Sequence, residues 1–243
     1  MGGPARHPAP LAVDPVAVEL AKPCLDVGVY TNNHDEMRAF YETDVALPYE
    51  ELLRAGGGVH QHRFGLRGGV FKLNHSRDPL DEDVTCFRRL VVAAAPGQAP
   101  ARLVDPDGLA VEIVAPGRDA VEAVAVHWGS RDPDRLGRLL AEGLGARDAG
   151  DGRWQVGTTL LVVEEDPVAG PMGPMRARGF RYLTVQVRDV RREHARLLEL
   201  GWSEGRPPVR LGDVAFISFV RDPDGAWLEV SQRASLTGPL PSH

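Results

Sequence analysis

The segment Asp105-Pro106-Asp107-Gly108-Leu109-Ala110-Val111-Glu112 returns as Asp222-Pro223-Asp224-Gly225-Ala226-Trp227-Leu228-Glu229, 117 positions further on in a chain of 243. A motif repeated at half the chain length is the mark of an internal duplication, and it restricts the fold to one that can be built twice. In each copy Pro and Gly suit a tight reversal, and the alternation that follows (Leu109, Val111, Ile113; Trp227, Leu228, Val230) reads as a strand. A glutamate occupies the same place on both strands.

The segments upstream repeat as well. Residues 24–30 and 121–128 read as strands. Each is followed by a helical stretch: 35–45, with Met37, Phe40 and Tyr41 at helical spacing, and 133–144, with Leu136, Leu139, Leu140 and Leu144. Residues 182–187 form another strand ahead of a helix over 190–200, stopped by Gly201. The chain therefore divides into four strand–helix–strands modules in two pairs, 22–116 and 117–233, joined at Pro116-Gly117. Residues 1–21 and 234–243 are tails outside the modules, and within them 1–13 and 234–243 read as disordered or loosely docked. The second module has lost its helix, because 93–100 is too short and is broken by Pro96 and Pro100. Residues 166–178, with three prolines and two glycines, form a linker between the third and fourth modules.

Composition narrows the partners. Lys+Arg 28 against Asp+Glu 34 leaves a net charge of −6, which implies no basic face for nucleic acid. No apolar run approaches the roughly 18 to 20 residues of a membrane-spanning helix, and Met1–Pro10 lacks the layout of a secretion signal, so the expected location is the cytoplasm, with no membrane partner. Cys24 and Cys86 are the two cysteines, neither in a CxxC pair and both in apolar stretches, which predicts reduced, buried thiols. Neither a phosphate-cradling glycine loop nor a G-x-S-x-G nucleophile elbow is present.

The module order, Phe40-Tyr41 in the first helix, the junction Val187-Arg188-Asp189-Val190 and the two DPDG…E endings together resemble the vicinal oxygen chelate superfamily, which includes glyoxalases, bleomycin-resistance proteins and extradiol dioxygenases. The resemblance covers about residues 25–232. It implies an α+β fold of tandem glyoxalase-like domains, in which paired βαβββ modules curl into half-open barrels around a cleft. It also implies a divalent metal in that cleft, which binds two neighbouring substrate oxygens as a Lewis acid.

Carried over residue by residue, the family's ligand positions on the first strands fall near Asp26, Arg89, Ala123 and Tyr182, those on the last strands at Glu112 and Glu229, and one on a hairpin strand at Lys72. Asp26, Lys72, Arg89 and Glu112 are expected to share a cleft in the first domain, and Tyr182 and Glu229 one in the second. Lys72 and Arg89 bring fixed positive charge to the place where the ion would sit, and charge repels charge. Two carboxylates and two cations could instead neutralise one another as buried ion pairs.

His60 and His62, at i and i+2 of one strand, point the same way. They either join Asp26 and Glu112 in a rebuilt site or, if Arg67-Gly68 is the hairpin turn and Lys72 pairs with Arg63, face away from Lys72. Tyr182 and Glu229 are either a phenol–carboxylate pair for proton transfer or a packed tyrosine beside a relic carboxylate. His34, His127 and His194 read as surface or structural residues.

The expected activity is that of a small-molecule enzyme like the glyoxalase-type lyases and isomerases, acting on a substrate with adjacent oxygens. Asp26, Glu112, Tyr182 and Glu229 are its candidate catalytic groups, and His60, His62, Lys72 and Arg89 its candidate substrate contacts. The metal is either absent or a single divalent ion on Asp26, His62 and Glu112. The rival is a metal-free binding or sequestering protein of the bleomycin-resistance type. Either a monomer or a homodimer fits four modules.

Overall fold

The computed structural model describes residues 18–241; the expectation for residues 1–13 lies outside the described residues. Module one runs β1 (Asp26–Thr31), α1 (His34–Ala39), β2 (Tyr49–Gly56), β3 (Val59–Leu66) and β4 (Gly69–Ser76). Module two holds three strands, β5 (Phe87–Ala93), β6 (Ala101–Val104) and β7 (Ala110–Val114), and the Pro-broken segment between the first two carries no helix. Module three runs β8 (Val124–Ser130), α2 (Pro133–Leu144), β9 (Arg147–Gly150), β10 (Arg153–Val156) and β11 (Thr159–Glu165). Module four runs β12 (Gly179–Gln186), α3 (Val190–Glu199), β13 (Ser203–Leu211), β14 (Ala215–Arg221) and β15 (Trp227–Arg233), followed by a short α4 (Ala234–Thr237).

Local chemistry explains the helices. Asp132 accepts a hydrogen bond from the Arg135 amide, Pro133 fills the first turn, and Gly145 closes α2 at φ 63°. Asp189 caps α3 by accepting from the amides of Arg191 and Arg192. The first helix is shorter than its periodicity predicts, since from Phe40 to Asp44 the chain winds as a π turn, which keeps Tyr41 buried.

Each module closes on itself by pairing its first strand in parallel with its last: β1 with β4, β5 with β7, β8 with β11, β12 with β15. Modules then join through their first strands, antiparallel, β1 to β12 and β5 to β8. One sheet of eight strands has the order β13-β14-β15-β12-β1-β4-β3-β2, and a second of seven has the order β6-β7-β5-β8-β11-β10-β9. This corrects the expectation of one cleft per sequence half: module one shares its sheet with module four, and module two with module three. The physical reason is strand pairing, because an apolar first strand, buried along all of β1, needs a partner on its open edge and takes it from the other half.

A single apolar core lies between the sheets, where helix residues such as Met37 and Leu140 meet Phe64, Phe71, Leu90 and Trp128. Phe87 stacks on Phe180 at 4.4 Å between ring centroids and so joins the two sheets. The opposite faces carry smaller clusters, around Tyr30, Tyr182 and Phe219 on one sheet and around Val91, Ala125 and Leu160 on the other. The C-terminal tail is more tightly held than expected, since Leu240 is buried, and Leu20, ahead of the first module, bridges to Val187. Both cysteines are free and buried. No helix among the described residues is long and apolar enough to cross a membrane.

Candidate functional site

Alternation along the central strands decides what the eight-stranded sheet shows to its cleft. On β1, Val27 and Val29 enter the core, so Asp26, Gly28 and Tyr30 take the other face; on β4, Phe71 and Leu73 enter the core and leave Lys72 and Asn74. Across the seam, β12 presents Tyr182 and Thr184, and β15 presents Glu229 opposite Thr184. The result is a cleft of about 420 Å³ with Lys72, Tyr182 and Glu229 among its lining.

Lys72 is its centre. The ammonium donates to Thr184 Oγ1 at 2.7 Å and to Glu229 Oε2 at 2.8 Å, and lies 3.9 Å from Asp26 Oδ2. Thr184 in turn donates to Glu229 Oε2 at 2.8 Å, which closes a triangle of three buried side chains. Asp26, 1% exposed, accepts from Lys22 Nζ, the Val70 amide and Gln186 Nε2. Burial pushes the Asp26 carboxyl up, but the ammoniums of Lys72 and Lys22 and the hydrogen bonds from Lys22 and Gln186 outweigh it, and hold the acid below the usual carboxylate range.

Tyr182 lies flat over Gly28, its ring centroid 5.6 Å from Lys72 Nζ, and its hydroxyl accepts from Asn74 Nδ2 at 3.1 Å. Burial, and then the nearby Glu229 carboxylate, push the phenol well above its ordinary value, so it stays neutral. Burial likewise pushes Tyr30, at the same cleft, to about 12. Arg54, Arg206 and Arg233 also line this cleft, around an apolar wall that includes Leu53, Ile217 and Phe219.

The seven-stranded sheet has a smaller cleft of about 210 Å³. There Glu112 is bridged by Arg89 at 3.2 Å and by Arg102 at 3.4 Å, both exposed, and His127 meets Glu164 at 2.9 Å. Asp26 and Lys72 therefore do not share a cavity with Arg89 and Glu112. The expected metal set of Asp26, His62 and Glu112 does not converge, because its members sit on different sheets or different faces. Lys72 pairs with Arg63 across the Arg67-Gly68 turn, so His60 and His62 take the face of β3 turned from Lys72, and neither can serve as a substrate contact in this cleft.

The four positions that do meet are Asp26, Lys72, Tyr182 and Glu229. A divalent ion does not fit them. Two carboxylates are too few for the three or four donors such an ion takes, and a lysine ammonium, which offers no lone pair, already lies against both. Thr184 and Asn74 were missed from the sequence, although each lies two residues beyond a named candidate on the same face of its strand.

Residues 116–230 match the family model of the Glyoxalase/Bleomycin resistance protein/Dioxygenase superfamily. Glyoxalase I from Zea mays superposes with a TM-score of 0.68 at 16% identity, covering 89% of this chain and 92% of that one. A putative dioxygenase from Bacillus subtilis subsp. subtilis str. 168 gives 0.63 at 15% identity, with 89% and 86% covered. No curated protein matches the sequence. At such identities the structural likeness establishes the fold, and the family match is confined to the segment it spans. The segment 116–230 belongs to the Glyoxalase/Bleomycin resistance protein/Dioxygenase superfamily, and the chain around it has the fold of glyoxalase I.

Proposed function

We propose that the cleft of the eight-stranded sheet binds a small, oxygen-rich, negatively charged molecule and rearranges it by proton transfer without a metal, as a lyase or isomerase. The observation that carries this reading is the Lys72 ammonium at 2.8 Å from Glu229 on the floor of the cleft. A fixed cation in a water-poor site stabilises negative charge on an enolate-like oxygen, part of what a Lewis acid does for relatives. Glu229 keeps 10% of its side-chain surface open and is placed to take the proton from the carbon beside that oxygen. The neutral Tyr182 phenol orients a second oxygen, while Asp26 holds Lys72 in place. Arg54, Arg206 and Arg233 supply the pull for an anionic ligand.

Sequestration without turnover is the second reading. It is favoured by the closed Lys72–Thr184–Glu229 triangle, whose members satisfy one another. The two separate in one experiment: chelator-treated protein is screened for turnover against α-hydroxycarbonyl and 2-oxoaldehyde-derived substrates that carry a carboxylate. Proton transfer predicts that Glu229→Gln lowers kcat by about 10²–10⁴-fold while ligand binding persists, the usual worth of a general base. Tight binding with no turnover by the wild type, or turnover restored only by added metal, would reject the metal-free enzyme.

A further inference from the structure

Three histidines meet on the other face of module one, away from the cleft. His62 on β3, His75 on β4 and His34 at the start of α1 bring ring nitrogens within 4.8 Å of one another. The His34 ring centroid lies 4.2 Å from that of His62 and 5.0 Å from that of His75. Sequence reading treated His34 as surface or structural and gave His75 no role; neither is near the other in the chain, and only the closure of α1 over the β3–β4 hairpin joins them.

One atom in this cluster lacks an explanation. His34 Nε2 is buried and has no hydrogen-bond partner among the described residues. Its other nitrogen, Nδ1, lies 2.8 Å from Asp35 Oδ1. A carboxylate at Nδ1 fixes the proton there, which leaves Nε2 with a bare lone pair aimed into the protein. A buried acceptor without a donor is costly, and an ion is one of the few things that relieves it. The same arrangement, carboxylate to histidine to ion, is how proteins orient metal-binding imidazoles.

We infer that His34, His62 and His75 form a three-histidine site for a divalent transition metal of the zinc type, on the face of the barrel opposite the cleft. Three neutral imidazoles with one position left to water are a complete set for such an ion. Nitrogens on one tetrahedral zinc lie about 3.4 Å apart, given Zn–N of about 2.0–2.1 Å, so the cluster draws in by about 1.4 Å at most. Rotation of the half-exposed His34 and His75 side chains covers that distance. Of the two full cations near the cluster, Arg38 and Arg77, Arg38 is tied to Glu42 at 3.0 Å and stacks over Tyr49 at 4.4 Å, while Asp35 and Glu36 add negative charge at the same turn.

The test is metal binding by the full chain stripped with chelator, followed by calorimetry and by the visible spectrum of added cobalt(II). The inference expects one ion per chain at micromolar or tighter affinity, a cobalt spectrum of low coordination number, and a rise in melting temperature with zinc. His62→Ala and, separately, His34→Gln should each weaken uptake at least tenfold. Asp26→Asn and Glu229→Gln, which alter the cleft, should leave uptake unchanged. Their retention distinguishes this site from the cleft, so the metal-free reading of the cleft stands or falls on its own experiment. His34→Gln changes a side chain at the surface end of α1, and its circular dichroism serves as the folding control. Uptake of less than half an ion per chain, affinity no better than millimolar, or uptake that survives both histidine variants would overturn the site.

Discussion

Gly28 has Tyr182 where its side chain would be. A Cβ built there lies 2.1 Å from Cζ of the ring, a distance no packing adjustment of a few tenths of an ångström can absorb. The glycine is thus what lets the tyrosine lie flat across the seam between β1 and β12, reach Asn74 with its hydroxyl and cover Lys72. Gly28→Ala is expected to lose about 1–3 kcal/mol, the usual cost of overpacking a filled site. In a Tyr182→Ala background the same change should cost much less, since the ring that it strikes has gone. Urea unfolding of the four proteins of this cycle measures the coupling, and additive losses would mean that the ring and the glycine do not compete for the same space. Sequence reading found Tyr182 but not Gly28 or Thr184. A residue that matters through its missing side chain, or through a neighbour on another strand, leaves no signal until strands are paired.

At the scale of the element, the duplicated turn was legible as a strand starter, and the structure adds why its first aspartate is there. Asp105 accepts from the amides of Asp107 and Leu109 and from the Tyr41 hydroxyl; Asp222 accepts from the amide of Ala226. These side chains hold the turns closed, yet they do so in buried surroundings. Burial pushes Asp222 up to about 7, its own turn's hydrogen bonds notwithstanding, and one of its oxygens, Oδ2, is buried without a partner. The sign of the consequence follows. An unfolded aspartate loses its proton near pH 3.9; between there and about pH 7 the folded state holds a proton that the unfolded state has released, so stability falls as pH rises through that window, by on the order of 4 kcal/mol for this group alone. Asp222→Asn, which keeps an acceptor for Ala226 but cannot ionise, should remove that slope. The difference in urea midpoint between variant and wild type is expected to move in the variant's favour from pH 5 to pH 8. A constant difference would show that Asp222 titrates alike in both states. The pattern DPDG announces a turn; how deeply it is buried depends on which module packs over it, and that is not written locally.

The whole molecule turns on which modules are partners. Four modules, their order and the missing second helix are all legible, because periodicity and turn chemistry are local. The pairing of one with four and two with three is not, because any first strand offers a similar apolar edge. The connections decide it. The join from β7 to β8 is short and keeps modules two and three side by side in one sheet, whereas the loops 77–86 and 166–178 carry the chain from one sheet to the other. Those two crossings fasten to each other: Asp81 bridges to Ala177, Asp83 receives the Gly173 amide, and Arg181 pairs with Asp83 at 2.9 Å. Neither sheet exists in either half alone. Lys72 comes from the first half and Thr184 and Glu229 from the second, so the candidate site is assembled only when both are present. Residues 18–116 and 117–241, expressed separately, should each expose the edges of β1 and β5 or of β8 and β12, and neither should give a monomer with a cooperative thermal transition. Expressed together they should recover a one-to-one complex with the far-ultraviolet dichroism of the intact chain, and Lys72→Met in the first piece should weaken that complex by leaving Glu229 buried without its cation, a loss of about 3–5 kcal/mol for a broken buried pair. Two independently folded monomeric halves would contradict the strand pairing itself, since β1 would then have found a partner other than β12.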